Sequence, residues 1–148
     1  MCVRAINSVA LAGPSACAQL MPDGTPPLAG TVLDSADGLT EASFFGSWRA
    51  IGIAWRDFVE RESAIAGYSV CLGSQHGSCN IASFVDVGLA QSHVFDATLL
   101  LSFNANGTAT LADGSELKQT GAVVFATVAA TNVIGLDRKS TRLNSSHT

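Results

Sequence analysis

Apolar and polar residues alternate over short runs along this chain, and no long window carries the three-to-four spacing of an amphipathic helix. Runs rich in β-branched and aromatic residues fall at 30–33, 49–55, 65–72, 84–87, 98–103, 108–111 and 123–130. Each is bounded by Gly, Asn, Asp, Ser or Pro, so each reads as a strand. Seven short strands with turn punctuation predict an all-β fold, an antiparallel two-sheet sandwich.

The turns carry their own chemistry. Asn104-Ala105-Asn106-Gly107 separates two of the runs, and an Asn-Gly pair supplies the positive φ that a tight hairpin needs. Asp113-Gly114 repeats the device before the next run. Thr25-Pro26-Pro27 precedes the first strand of the sandwich, where proline stiffens a linker and cannot sit in a central strand. This places a boundary after residue 24 and the sandwich over 25–136.

Residues 3–11, VRAINSVAL, align with residues 128–136, VAATNVIGL, at a constant offset of 125 positions. Val3, Ala5, Asn7 and Leu11 coincide with Val128, Ala130, Asn132 and Leu136. Residues 1–24 therefore read as the end of a preceding unit and its linker, in the manner of a tandem array. The same residues imitate a signal peptide, with Arg4 early and Ala16-Cys17-Ala18 as a cleavage-like site, but Asn7, Ser8, Gly13 and Pro14 interrupt the apolar run.

The far end reads differently. Residues 137–147, DRKSTRLNSSH, match letter for letter one translation frame of a common short-read sequencing adapter. Residues 137–148 are set aside as an adapter-derived tail, with no expectation that they pack. The tail holds Arg138, Lys139 and Arg142 against Asp137, so without it the net charge moves from -4 to about -6 and a basic, nucleic-acid-binding reading loses its basis. It also holds the sequon Asn144-Ser145-Ser146. No apolar stretch reaches a membrane-spanning length, so direct membrane insertion is not expected.

The order DGTPPLAGTVLD, WRDFVERESAIAGYSVCLGS, FVDVG and FATVAATNVIGL resembles the fibronectin type III-like units repeated in large secreted and cell-surface proteins. The resemblance spans 25–136. It implies that Trp55 fills the core between the sheets, that Tyr68 follows the turn of Glu62, Ser63 and Ile65, and that Val128 opens the closing V-x-A-x-N motif. Val124 stands near the position of the family's corner tyrosine. An extracellular or cell-surface location is also implied, with neighbouring repeats as partners, protein or glycan ligands as further ones, and no cofactor.

Cys71 and Cys79 flank LGSQHGS after a strand-like run, and with the extracellular resemblance they read as a disulfide. Cys2 and Cys17 stand across the hairpin of the first segment as a second pair, left open. Cys71, His76 and Cys79 fall short of the four ligands a structural zinc site takes. Asp57, Glu60, Glu62 and Asp86 supply calcium oxygens only if their loops converge, and no EF-hand spacing is present. Ser63 and Ser92 lack the G-x-S-x-G context of a nucleophile, His93 reads as a half-buried strand residue, and Gly73 and Gly77 do not open a helix as a phosphate loop would. Trp48, Trp55, Phe58 and Tyr68 are core aromatics first and a sugar-stacking platform second. Asn106-Gly107-Thr108 is a glycosylation sequon on an expected turn tip. The expectation is a non-catalytic spacer or adhesion module. A carbohydrate-binding module and an accessory domain of a secreted hydrolase are the alternatives.

Overall fold

The computed structural model describes residues 2–18, 22–35 and 49–145. In chain order the elements are β1 (Cys2–Ile6), β2 (Ala12–Cys17), β3 (Thr31–Leu33), β4 (Ile51–Arg56), β5 (Ile65–Gly73), β6 (Ala82–Gly88), β7 (Ser92–Phe95), the short helix α1 (Ala97–Leu100), β8 (Thr108–Thr110), β9 (Glu116–Lys118), β10 (Val123–Asn132) and β11 (Asp137–Ser145). The fold is all-β, with antiparallel strand pairs throughout the described residues.

Two sheets share one core. One has the order β11-β10-β5-β6 and the other β3-β4-β7. Val32, Ile51, Ile53, Trp55 and Phe95 from the second meet Tyr68, Val70, Leu72, Val124, Ala126, Val128 and Ala130 from the first in a single cluster. The period of two explains the second set. Alternate residues of β10 point inward, and their register partners in β5, Leu72, Val70 and Tyr68, lie on the same face. Each large aliphatic side chain buried here stabilises the fold by about 1.5–3 kcal/mol. The β8–β9 hairpin adds Ala109, Leu111 and Leu117 to the same core.

The run at 98–103 is not a strand. Asp96 caps α1 by accepting from the Thr98 N–H, and Leu101 N–H donates to the Ala97 carbonyl. Three consecutive leucines, good helix formers, then take a single turn that buries Ala97 and Leu101 and leaves Leu99 in solvent. β7 and β9 were not expected from the sequence. Both are short: β7 is held by β4, distant in the chain, and β9 by β8 across a local hairpin.

The tail packs, contrary to the expectation for it. Residues 137–145 form β11 and pair with β10 at nine successive positions. An uncovered strand edge offers N–H and C=O groups to any extended chain, so pairing does not require a matched side-chain sequence. The mismatch remains visible in the register, where Arg138 and Ser140 lie opposite the core residues Ala130 and Val128. Ser140 Oγ donates to the Gly30 carbonyl at 2.9 Å, and Lys139 stands 5.6 Å from the Phe84 ring centre.

Residues 2–18 form a hairpin whose described residues are all exposed. Cys2 and Cys17 face each other in its register and are bonded. The pairing shifts between Arg4 and Ile6, opposite the segment holding Pro14, which has no N–H to donate.

Candidate functional site

The turn joining β1 to β2 and the turn joining β10 to β11 have the same geometry. Asn7 N–H donates to Leu11 O at 3.0 Å, and Asn132 N–H donates to Leu136 O at 2.9 Å. Ala10 N–H donates to Asn7 O, and Gly135 N–H to Asn132 O, both at 3.0 Å. The asparagine side chain closes each turn: Leu11 N–H reaches Asn7 Oδ1 at 2.9 Å, and Leu136 N–H reaches Asn132 Oδ1 at 2.8 Å. Ala10 and Gly135 both have positive φ, 62° and 91°. That conformation costs alanine roughly 1–2 kcal/mol and glycine almost nothing. The same backbone turn also closes Asn104–Thr108 and Leu111–Ser115, so the residues aligned at the offset of 125 share a hairpin turn that this chain uses repeatedly.

Only one of the two asparagines is engaged further. Asn132 is 1% exposed, and its Nδ2 donates to Asp23 Oδ2 at 3.0 Å, Thr25 O at 3.2 Å and Glu60 Oε2 at 3.3 Å. Glu62 Oε2 accepts from Gly24 N–H at 2.8 Å and Thr25 N–H at 3.3 Å, while Glu62 N–H donates to Glu60 Oε1 at 2.9 Å. The segment Asp23-Gly24-Thr25 is strapped to the end of the sandwich by Asn132 and Glu62. Leu28 continues it through an antiparallel bridge to Val59, with Leu28 N–H on Val59 O at 2.8 Å. Asn7 is exposed, and its amide NH2 has no such partner among the described residues.

Charge sets the pH range of the strap. The Glu62 N–H holds the Glu60 carboxyl below the ordinary glutamate range, with Asn132 adding to it against a contribution from burial. The Gly24 N–H does the same for Glu62. A carboxylate with a depressed folded pKa stabilises the fold above its unfolded value, and that contribution is lost as the pH falls through the folded one. The strap is therefore tight at neutral pH and loosens only as the pH falls below the ordinary glutamate range. Asp23 Oδ1 is buried and unpartnered among the described residues, while its Oδ2 accepts from Asn132.

Cys71 and Cys79 are bonded, with Cα atoms 5.4 Å apart. On the loop-entropy account such a short closed loop contributes about 2.5 kcal/mol. Gly73 makes the loop possible, because a Cβ there would collide with Ser78. Asn80 ties it to the β8–β9 turn. Its Nδ2 donates to Ser74 Oγ at 2.9 Å and to Asp113 Oδ2 at 2.6 Å, and its Oδ1 accepts from Ser74 N–H at 2.8 Å. The two sulfurs are consumed in the bond, so the zinc arrangement with His76 does not form; His76 lies edge-on to Phe125.

The other residues separate. Trp55 is 2% exposed and packs 5.6 Å from Tyr68, which lies 5.7 Å from Phe58. These three rings form core and present no platform; Trp48 lies outside the described residues. Val128 and Val124 are fully buried. His93 is half-buried in β7 against Phe95. Asp57 pairs with Arg56 and Asp86 caps Gly88 N–H, so neither joins Glu60 and Glu62 in the cluster described above. Among the described residues no group of three His, Cys, Asp or Glu is placed to hold a metal. No described helix is long and apolar enough to cross a membrane.

Sequence reasoning missed the strap because the partners that close it lie 37 to 109 positions apart. The signal that pointed toward it was the coincidence of Asn7 with Asn132. Open depressions among the described residues include two near these groups. One, of about 330 Å³, lies where β6 diverges from β5 beside Tyr68, Asp86 and Gly88. The other, of about 280 Å³, lies beside the strap between Pro26, Leu28 and Val59. No family model, curated protein or solved structure matches the chain.

Proposed function

We propose that this chain is a non-catalytic extracellular module that spaces and presents its neighbours, one fibronectin type III-like unit in a tandem series within a larger surface or secreted protein. The observation that carries the reading is the alignment of residues 3–11 with residues 128–136, both of which fold as hairpins closed by the same turn. The Asn7–Leu11 turn, on a hairpin outside the sandwich, repeats the Asn132–Leu136 turn within it. A preceding unit of the same build accounts for both. Within residues 25–136 the antiparallel orders β10-β5-β6 and β3-β4-β7, packed on one core, are compatible with the family reading. The two disulfides are compatible with an oxidising compartment.

A spacer needs a joint that holds its angle. Asp23 to Thr25 connect toward the preceding hairpin and are fixed to the sandwich by side chains from two of its loops. Exposed Leu28, Val59, Val133 and Ile134 lie on the segments that meet at this end and give a neighbour apolar surface to rest on. Burial of Trp55, Phe58 and Tyr68 counts against the carbohydrate-binding alternative, whose remaining place is the depression beside Tyr68 and Asp86. Titration with a panel of mono- and oligosaccharides, followed by NMR shifts of the Gly67, Asp86 and Gly88 amides, is expected to give no saturable change up to millimolar sugar. Saturation that Asp86→Ala abolishes would replace the spacer reading with a binding one.

A further inference from the structure

The loop between α1 and β8 contains two asparagines with different roles. Asn104 builds the turn: its N–H donates to Thr108 O at 2.9 Å, its carbonyl accepts from Gly107 N–H at 2.9 Å, and its Oδ1 accepts from Asn106 N–H at 2.9 Å and Thr108 N–H at 3.1 Å. Gly107 supplies the left-handed residue, at φ 70°, and its carbonyl accepts from Gln119 N–H at 2.7 Å. Asn106 has no positive φ, contrary to the turn-forming role expected of it in the Asn-Gly pair. Its side chain is exposed and makes no hydrogen bond among the described residues. The turn is complete without that carboxamide.

An asparagine that the fold does not use, two residues before a threonine on an exposed turn, has the chemistry of an acceptor. We infer that Asn106 is an N-glycosylation site, taking an oligosaccharide from a lipid diphosphate donor. In the transfer the bond between the sugar C1 and the diphosphate oxygen breaks, a C1–Nδ2 bond forms, the amide gives up one proton, and the lipid diphosphate leaves. The second sequon is placed differently, since the Asn144 backbone lies inside β11 opposite Val124.

The inference rests on the secretory part of the proposed function, and the experiment separates the two. The full chain is fused to a secretion signal, produced in eukaryotic cells, and peptide-mapped after release of N-glycans by an amidase that leaves aspartate at each occupied site. Both the secreted and the retained pools are mapped, because transfer occurs during translocation. Asn106 is expected to carry glycan in both pools. Asn106→Gln and Thr108→Ala should abolish it and Thr108→Ser should keep it, with the urea midpoint of the folded protein unchanged by Asn106→Gln. An unmodified Asn106, or glycan found at Asn144 alone, overturns the site. Glycan at Asn106 on a chain that is never exported supports the site and counts against the extracellular reading.

Discussion

Replacing Trp55 by alanine is expected to remove roughly 3–5 kcal/mol of folding free energy. A domain of this size has only about 5–15 kcal/mol to lose. Trp55 is 2% exposed, stands one residue before the end of β4 and packs against Tyr68, which in turn packs against Phe58, so its loss opens a cavity between the two sheets. Its indole N–H is buried without a partner among the described residues, a cost that tryptophan carries and phenylalanine does not. Trp55→Phe should therefore lose less than half as much as Trp55→Ala. Urea unfolding monitored by far-ultraviolet circular dichroism measures both. A loss under 1 kcal/mol for the alanine variant contradicts the placement of Trp55 at the centre of the core.

Asn132→Ala is expected to cost about 2–4 kcal/mol, because it leaves the part-buried Leu136 N–H and three strap acceptors unmatched. Asn132→Asp is the sharper variant. Aspartate keeps the acceptor for Leu136 but loses the amide donor and adds a carboxylate to Asp23 and Glu60, so at pH 7 it should be less stable than Asn132→Ala. Like charges and burial raise the pKa of the new carboxyl. Its deficit against the parent protein should then shrink as the pH falls from 7 toward 5, above the range where the parent's own depressed glutamates begin to protonate. Amide exchange at Gly24 and Thr25 provides the local readout: both variants should expose these amides while leaving Val70 and Val128 protected. A pH-independent deficit, or unchanged exchange at Gly24, would show that the strap does not depend on Asn132.

The strands that define the core were legible in the sequence because their apolar residues alternate and their ends carry turn residues. β4, β5 and β10 fall close to the runs read at 49–55, 65–72 and 123–130. Trp55, Tyr68 and the Cys71–Cys79 pair were legible for the same local reason, together with the family resemblance. What escaped was decided by partners distant in the chain. β7 is too short to announce itself and exists because β4 offers an edge. The 98–103 run has strand-like hydrophobicity but a capping Asp96 just before it. β11 has no apolar pattern at all and is held by backbone pairing to β10. The strap depends on three carboxylates and one amide brought together by the fold, a convergence that local patterning does not record.

A module that spaces its neighbours must resist extension through its ends, and single-molecule pulling on the full chain between its two termini tests this directly. β3 and β10, which lie toward opposite ends of residues 25–136 in the chain, are in contact, so tension between the ends loads the core they share. The account predicts one cooperative rupture that releases on the order of 35 nm of chain, at about 0.35 nm per residue. With the Cys71–Cys79 bond reduced, the same event should lengthen by about 3 nm. Smooth extension without a rupture, or rupture in several small steps with no cooperative unit between Thr25 and Leu136, would contradict the claim that this chain is a structural spacer.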